Sequence, residues 1–283
     1  MKRLLKPAVR AAQRASYPLA ATERFLVVRG VVDRTRYTLP DFLGIGAAKS
    51  GTTWLHHNLA THSDVFVPPE KELHYFCHFR HRTLRWYSNR FRNAEGRITG
   101  EITPNYATLS PTRIAEVAAL VPEAKLVLMI RNPMDRAWSH AQMNLGRQRG
   151  RAPETVPDNE YIEHFRSRRS IANGDYSAIV DRWTAHFPES RLWVGTYDQM
   201  VEDPVGLLTS LFEFLGVSTE VDWTDFPTHT VIDRGHPGTD TVGERGGSEE
   251  IPPRLRAELD SIYRPMMTGL AERFGAAVDA WQS

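Results

Sequence analysis

A single cysteine, Cys77, stands in a chain of 283 residues. One cysteine cannot close an intramolecular disulfide or supply a four-cysteine zinc site, so neither staple is expected here. Charge of one sign is also scarce. The 35 basic and 34 acidic residues leave a net charge of +1, which offers no argument for nucleic acid as a partner. No stretch approaches the roughly 18 uninterrupted apolar residues of a transmembrane helix. The N-terminus lacks an apolar core followed by a small-residue cleavage site. Together these shortages predict a cytoplasmic, reducing setting. Two nucleotide signatures are missing as well. In neither Gly-x-x-x-x-Gly-Lys-Ser/Thr nor Gly-x-Gly-x-x-Gly register does the chain comply, since Lys49 stands where the third glycine after Gly44 and Gly46 would be. His56-His57 and the pair His78 and His81 lack further ligand residues at metal spacing, so no metal is expected.

What is present is a hydrophobic fraction of 41% and a charged fraction of 24%, ordinary for a globular protein. The charge is unevenly placed. Residues 1–36 hold nine basic side chains against the two acids Glu23 and Asp33. Residues 1–38 therefore read as a basic, solvated N-terminal extension in which Pro18 and Pro40 break any long helix. The same residues, 1–36, suit peripheral contact with an anionic membrane surface. Residues 39–283 read as one domain.

That domain alternates strands with helices. Phe42 to Gly46 is a short apolar run ending in glycine, Lys125 to Ile130 is the clearest buried strand, Arg191 to Tyr197 is a third, and Arg97 to Ile102 a weaker fourth. Helices are expected over Thr53 to Ala60, Pro111 to Leu120, Met134 to Leu145, Tyr176 to Phe187 and Val205 to Leu215. A further helix is expected from about Pro253 to Phe274, with a kink or break near Pro265, after a long loop over residues 227–250. The pattern predicts an α/β fold with a central parallel sheet flanked by helices.

The segment Ala47-Ala48-Lys49-Ser50-Gly51-Thr52-Thr53-Trp54 follows the first strand and opens the first helix of the domain. Backbone N–H groups at such a turn converge on an anion, and the helix N-terminus adds about half a positive charge. Gly51 lets the backbone approach a phosphate, Lys49 can bridge its oxygens, and Ser50, Thr52 and Thr53 can donate hydroxyl hydrogen bonds. Lys-Ser-Gly-Thr-Thr-Trp after an apolar strand resembles the 5′-phosphosulfate loop of sulfotransferases that use 3′-phosphoadenosine-5′-phosphosulfate (PAPS). A second segment, Arg131-Asn132-Pro133-Met134-Asp135-Arg136-Ala137-Trp138-Ser139, follows the strongest strand and resembles that family's 3′-phosphate signature. The resemblance implies that Arg131 and Ser139 hold the 3′-phosphate, a guanidinium fork and a hydroxyl being suited to a phosphate dianion. It extends through Gly174-Asp175-Tyr176, Trp183, Tyr197, Asp203-Pro204 and Phe214-Leu215-Gly216, covering about residues 41 to 275. It implies PAPS as co-substrate, no metal, and an unidentified small-molecule, glycan or lipid acceptor.

Sulfuryl transfer needs a base for the acceptor and cations for the leaving group. Glu70-Lys71-Glu72-Leu73-His74-Tyr75-Phe76 is similar to the Glu-x-His-Phe-Phe stretch of heparan-sulfate-type members, which implies Glu72 as base and His74 as its neighbour. Members of the cytosolic type use a histidine, which leaves His74 as the rival base. Lys49 is implied as the cation on the leaving group. Glu101-Ile102-Thr103-Pro104-Asn105-Tyr106 is similar to a Glu-Lys-Ser-Pro-x-Tyr stretch, which implies either Thr103 and Tyr106 on the acceptor side or Pro104 and Tyr106 as residues that only shape the loop. Ile102 replaces the lysine that meets an acidic saccharide, which argues against a heparin-like polyanion. Trp54, Tyr75, Phe76, Trp86, Tyr87 and Tyr106 could build an apolar acceptor cleft or the core. In the late loop, Arg245 and Gly246 fit the family's 3′-phosphate cap, with Arg234-Gly235-His236 as a competing segment.

Overall fold

A computed structural model of the chain describes residues 2–228, 231–234, 240–243 and 250–282. Arg245 and Gly246, like Gly235 and His236, lie outside the described residues.

Helix α1 (Lys2–Val28) is followed by strand β1 (Phe42–Gly46) and helix α2 (Thr52–Thr61). Next come β2 (Val65–Phe66), α3 (Leu84–Ser88), β3 (Ile98–Ile102), α4 (Pro111–Leu120) and β4 (Lys125–Ile130). Helices α5 (Pro133–Ala141), α6 (Asp158–Arg166), α7 (Arg168–Gly174) and α8 (Tyr176–Thr184) precede β5 (Leu192–Thr196). The remainder is α9 (Tyr197–Glu202), α10 (Pro204–Leu215), β6 (Val231–Arg234), β7 (Asp240–Gly243), α11 (Pro253–Met267) and α12 (Leu270–Phe274).

Five strands form one sheet in the order β2-β3-β1-β4-β5, with parallel pairings throughout. The fold is therefore the α/β arrangement the alternating pattern predicts. Alternate residues of the central strands serve two separate cores. Leu43, Ile45, Leu126, Leu128 and Ile130 enter the larger one, with side chains of α4, α5, α8 and α11. Phe42, Val127 and Met129 enter the other, with Leu55 and Leu59 of α2 and Leu208 and Phe212 of α10. Burial on both faces is why these strands read as continuous apolar runs. The strand order reverses between β1 and β4, and at such a point loops diverge from the carboxyl ends of the strands and leave a crevice.

Four local expectations are corrected. The N-terminal segment is not broken at Pro18, because α1 runs through it. Tertiary contacts outweigh the lost hydrogen bond: Ala20 and Val27 are buried, and Arg24 donates to Tyr75 Oη at 3.3 Å and to the Arg80 carbonyl at 3.0 Å. Glu23 accepts from the backbone N–H groups of Leu84 and Arg85, capping the start of α3. The later part of the segment expected to be solvated is thus docked on the domain. Residues 227–250 are not all loop, since β6 and β7 pair antiparallel with Val231 opposite Gly243. The β-branched Val231, Ile232, Thr241 and Val242 favour that ladder. The C-terminal helix runs through Pro265 and ends at Met267, so the break expected near Pro265 falls a few residues on, at Gly269, whose φ of 79° is left-handed. Helix α5 ends at Ala141 and passes into a π-helical turn over Gln142–Gly146.

Candidate active site

The carboxyl ends of three neighbouring parallel strands, β3, β1 and β4, each adjoin one segment singled out in the sequence. After β1, the chain turns through Lys49 at φ 72° and Gly51 at φ 84°. Gly51 is the N-cap of α2, and no side chain caps that helix. The left-handed φ of Gly51 calls for glycine, and a Cβ there would lie 2.6 Å from Met200 Sδ of α9 and displace that side chain. The first-turn N–H groups of Thr52, Thr53 and Trp54 have no carbonyl partners within the helix and point out of its end. The indole of Trp54 is anchored by donation to the Thr228 carbonyl at 3.0 Å. The loop thus sets backbone N–H groups beside one lysine, an arrangement suited to an anion.

After β4, Arg131 is mostly buried, with its guanidinium carbon 4.2 Å from the centroid of Tyr197. Tyr176 Oη accepts from the Arg131 N–H at 3.3 Å and donates to the Arg131 carbonyl at 2.6 Å. Asn132 accepts from Met134 N–H at 3.0 Å and so starts α5, which carries the largely buried Ser139. The second arginine of that segment, Arg136, plays a structural part. Fully buried, it donates to the Ser170 carbonyl at 2.9 Å and ties α5 to α7. Tyr176 and Tyr197 are visible in the sequence, but their grip on Arg131 is not.

The third segment, Glu72 to Phe76, is mounted beside the end of β3. Glu72 N–H donates to the Ile102 carbonyl at 3.1 Å, His74 N–H to Thr103 Oγ1 at 3.3 Å, and Phe76 N–H to Tyr106 Oη at 3.3 Å. Beneath it lies the buried carboxylate of Glu101, which accepts from Tyr87 at 2.6 Å, Tyr106 at 2.8 Å and Thr103 at 2.7 Å. Burial raises the Glu101 carboxyl above its usual range, against the pull of those hydroxyl donors. Thr103 and Tyr106 are themselves fully buried. They carry the Glu72–Phe76 turn, the loop-shaping alternative that the sequence leaves open for Tyr106. Ile102 packs in the core on the α2 side. Tyr75, Phe76, Tyr87 and Tyr106 belong to the larger core, against which Trp86 packs, and Trp54 belongs to the other.

Glu72 and His74 both hold left-handed backbone, at φ 65° and 52°. Non-glycine residues rarely do so, and such geometry gathers at functional sites. Glu72 Oε1 accepts from Lys71 Nζ at 2.9 Å, and Glu72 Oε2 lies 3.4 Å from His74 Nε2. The other His74 nitrogen, Nδ1, is 3.4 Å from Cys77 Sγ. Burial pushes the Glu72 carboxyl up, but hydrogen bonding to His74 and the charge of Lys71 outweigh it and hold it at about 2. His74 is raised to about 9 by its hydrogen bonds to Cys77 and Glu72, against the opposing effect of burial. At neutral pH the pair is a carboxylate beside an imidazolium. The expected absence of a metal-ligand cluster is corrected by the same turn, which brings His74, Cys77 and His78 together with ligand atoms within 4.8 Å of one another. A separate cavity of about 360 Å³ between α8, β5 and α12 contains none of these residues.

A family model described as the sulfotransferase domain matches residues 39–234. Heparan sulfate glucosamine 3-O-sulfotransferase 3A1 of Mus musculus is 30% identical over 197 residues, which are 66% of this chain and 48% of that protein. The bifunctional heparan sulfate N-deacetylase/N-sulfotransferase 1 of Caenorhabditis briggsae is 28% identical over 260 residues, 81% of this chain and 29% of that protein. The chain thus spans about half or less of the length of these relatives. Among solved structures, a sulfotransferase from Alicyclobacillus acidocaldarius matches with a TM-score of 0.67 at 26% identity, covering 87% of this chain and all of that one. The sulfotransferase domain from the Synechococcus PCC 7002 olefin synthase shares the fold, with a TM-score of 0.57 at 18% identity over 84% of this chain and 95% of that one.

Proposed function

The chain belongs to the sulfotransferase domain family, and from that premise we propose that it transfers a sulfuryl group from PAPS to a hydroxyl or amine of a glycan acceptor. The observation that carries the proposal is the convergence of an anion cradle, a phosphate-suited arginine and an ionised carboxylate at adjacent strand ends. The glycan class is supported by the relatives, whose names specify heparan sulfate.

The residues fit the donor. Lys49, Ser50, Gly51, Thr52 and Thr53 would hold the 5′-phosphosulfate in the uncapped end of α2, and Arg131 with Ser139 would hold the 3′-phosphate. When bound, the donor supplies the sulfuryl group and a phosphate leaving group. Glu72 accepts the proton of the attacking hydroxyl or amine. At neutral pH His74 already carries its proton, so it orients the Glu72 carboxylate and offsets its charge. Lys49 and the α2 end stabilise the negative charge that gathers on the departing oxygen.

Calorimetric titration tests the donor assignment. Adenosine-3′,5′-bisphosphate is expected to bind more tightly than adenosine-5′-monophosphate or ATP, and Arg131→Ala to weaken it by roughly 10- to 100-fold, as loss of hydrogen bonds to a charged group implies. Equal affinity for the monophosphate would overturn the 3′-phosphate role of Arg131.

We also propose a cytoplasmic setting, supported by the lone Cys77, with peripheral membrane contact through residues 1–36. Among the described residues no helix is long and apolar enough to cross a membrane. Phe25, Val28 and Val31 are exposed beside the basic residues of that segment, a composition suited to an anionic interface. Deleting residues 1–36 is expected to abolish sedimentation with phosphatidylserine-containing liposomes, and unchanged sedimentation would exclude this segment as the anchor.

A further inference from the structure

The turn that carries His74 also holds an unassigned set of soft ligands. Cys77, His78 and Phe79 N–H groups all donate to the His74 carbonyl, at 3.2, 2.9 and 3.0 Å, so one tight helical turn stacks His74, Cys77 and His78 on a common side. His74 Nδ1 lies 3.4 Å from Cys77 Sγ. A tetrahedral zinc ion, with Zn–N near 2.0–2.1 Å and Zn–S near 2.3 Å, holds such a pair roughly 3.5 Å apart. The His74 and His78 ring centroids are 4.6 Å apart, and the three ligand atoms lie within 4.8 Å of one another. His78 is exposed, and a side-chain rotation closing roughly 1 Å brings its nitrogen to ligand distance. The outer contact is also in place. Metal-bound imidazoles generally donate their second N–H to a carboxylate, and His74 Nε2 faces Glu72 Oε2 at 3.4 Å.

We infer that His74, Cys77 and His78 form a three-ligand site for a borderline-soft divalent ion of the zinc class, and that its occupancy inhibits transfer. Two imidazoles and a thiolate select zinc-like ions over magnesium or calcium, which prefer oxygen. Three protein ligands leave a fourth position for water. On binding, the ion exchanges coordinated waters for bonds to His74 Nδ1, Cys77 Sγ and a His78 nitrogen. The Cys77 thiol proton and the His74 Nδ1 proton leave to solvent. His74 keeps its Nε2 proton, locked on Glu72, so the pair can no longer respond to an acceptor. Only this inhibitory half rests on the proposed role of Glu72 and His74.

The test titrates the tag-free, phosphine-reduced chain with Co²⁺ as a spectroscopic probe for zinc. The expected result is one equivalent of tetrahedral cobalt with a thiolate-to-metal charge-transfer band, displaced by Zn²⁺. The band should vanish in Cys77→Ser, and His78→Ala should weaken Zn²⁺ binding at least about tenfold. Zn²⁺ should inhibit sulfuryl transfer by the unsubstituted chain, while His78→Ala transfers normally without metal and resists Zn²⁺. Absence of the band, or equal Zn²⁺ affinity in Cys77→Ser, overturns the site. Binding without inhibition overturns the link to His74. If the chain transfers no sulfuryl group at all, the proposed function fails while the cobalt spectrum still decides the metal site.

Discussion

Glu72→Gln is expected to lower kcat by about 10²- to 10⁴-fold, the range for loss of a positioned general base, while leaving the affinity for adenosine-3′,5′-bisphosphate unchanged. The amide has nearly the same shape and still offers an oxygen to Lys71 Nζ, so the left-handed turn should persist. What it loses is the charge that accepts the proton. A carboxylate held at about 2 is a weak base in isolation, but it is ionised at every working pH. An acceptor that displaces Lys71 or His74 from it would release that restraint during the reaction. The pH dependence separates the two candidate bases. Because Glu72 titrates at about 2, it puts no acid limb near neutrality. His74 loses its proton as pH rises through about 9, so a rate that needs the imidazolium falls there. A rate that instead rises through that pH would make His74 the base and sink the assignment to Glu72.

The same pair bears on stability, with a definite sign. The raised pKa of His74 stabilises the fold fully below the ordinary histidine value near 6.5, and this is lost progressively as pH rises through about 9. The lowered pKa of Glu72 stabilises it above the ordinary value of about 4.5, and this is lost as pH falls through about 2.

Lys49→Ala is the second large effect. Its kcat is expected to fall by about 10²- to 10³-fold, as when one preorganised group facing developing charge is removed. Affinity for adenosine-3′,5′-bisphosphate should fall much less. The asymmetry follows from the proposed cradle, where the N–H groups at the uncapped end of α2 would hold the ground-state phosphate whether or not the lysine is present. The lysine matters most when charge builds on the leaving oxygen. Equal losses in rate and product affinity would mean that Lys49 only binds, and the leaving-group role would be withdrawn.

Much of the cradle is legible in the sequence because its causes are local. An apolar strand running into Lys49-Ser50-Gly51-Thr52 can hardly do anything but turn and start a helix, and Asn132-Pro133 after β4 is as directive. The misreadings share a cause of a different kind. Pro18 signals a helix end, yet contacts with Tyr75, Arg80 and Leu84 keep the helix intact. Thr103 and Tyr106 point to an acceptor because a hydroxyl in a short motif looks available. The buried Glu101 that consumes both hydroxyls could not be known without its surroundings. His74, Cys77 and His78 stand at i, i+3 and i+4, but only a helical turn puts residues so spaced on one side. The tight turn around the His74 carbonyl gathers three ligands within a five-residue span.

By itself the sequence determined that the chain builds a parallel α/β sheet, with a glycine-bearing turn from β1 into a helix and an arginine directly after β4. Those features depend on residue order along one strand, one turn and one helix. Only the tertiary structure decided how Arg131 is clamped between Tyr176 and Tyr197, 45 residues away in the first case. It alone decided that Glu101 is the hidden support of the Glu72–His74 turn, and that His74 serves two sets of partners, one per ring nitrogen. The physical reason is that a side chain's hydrogen-bonding capacity is written in its own residue, whereas burial, which makes each remaining partner indispensable, is set by segments that meet only when the sheet has formed.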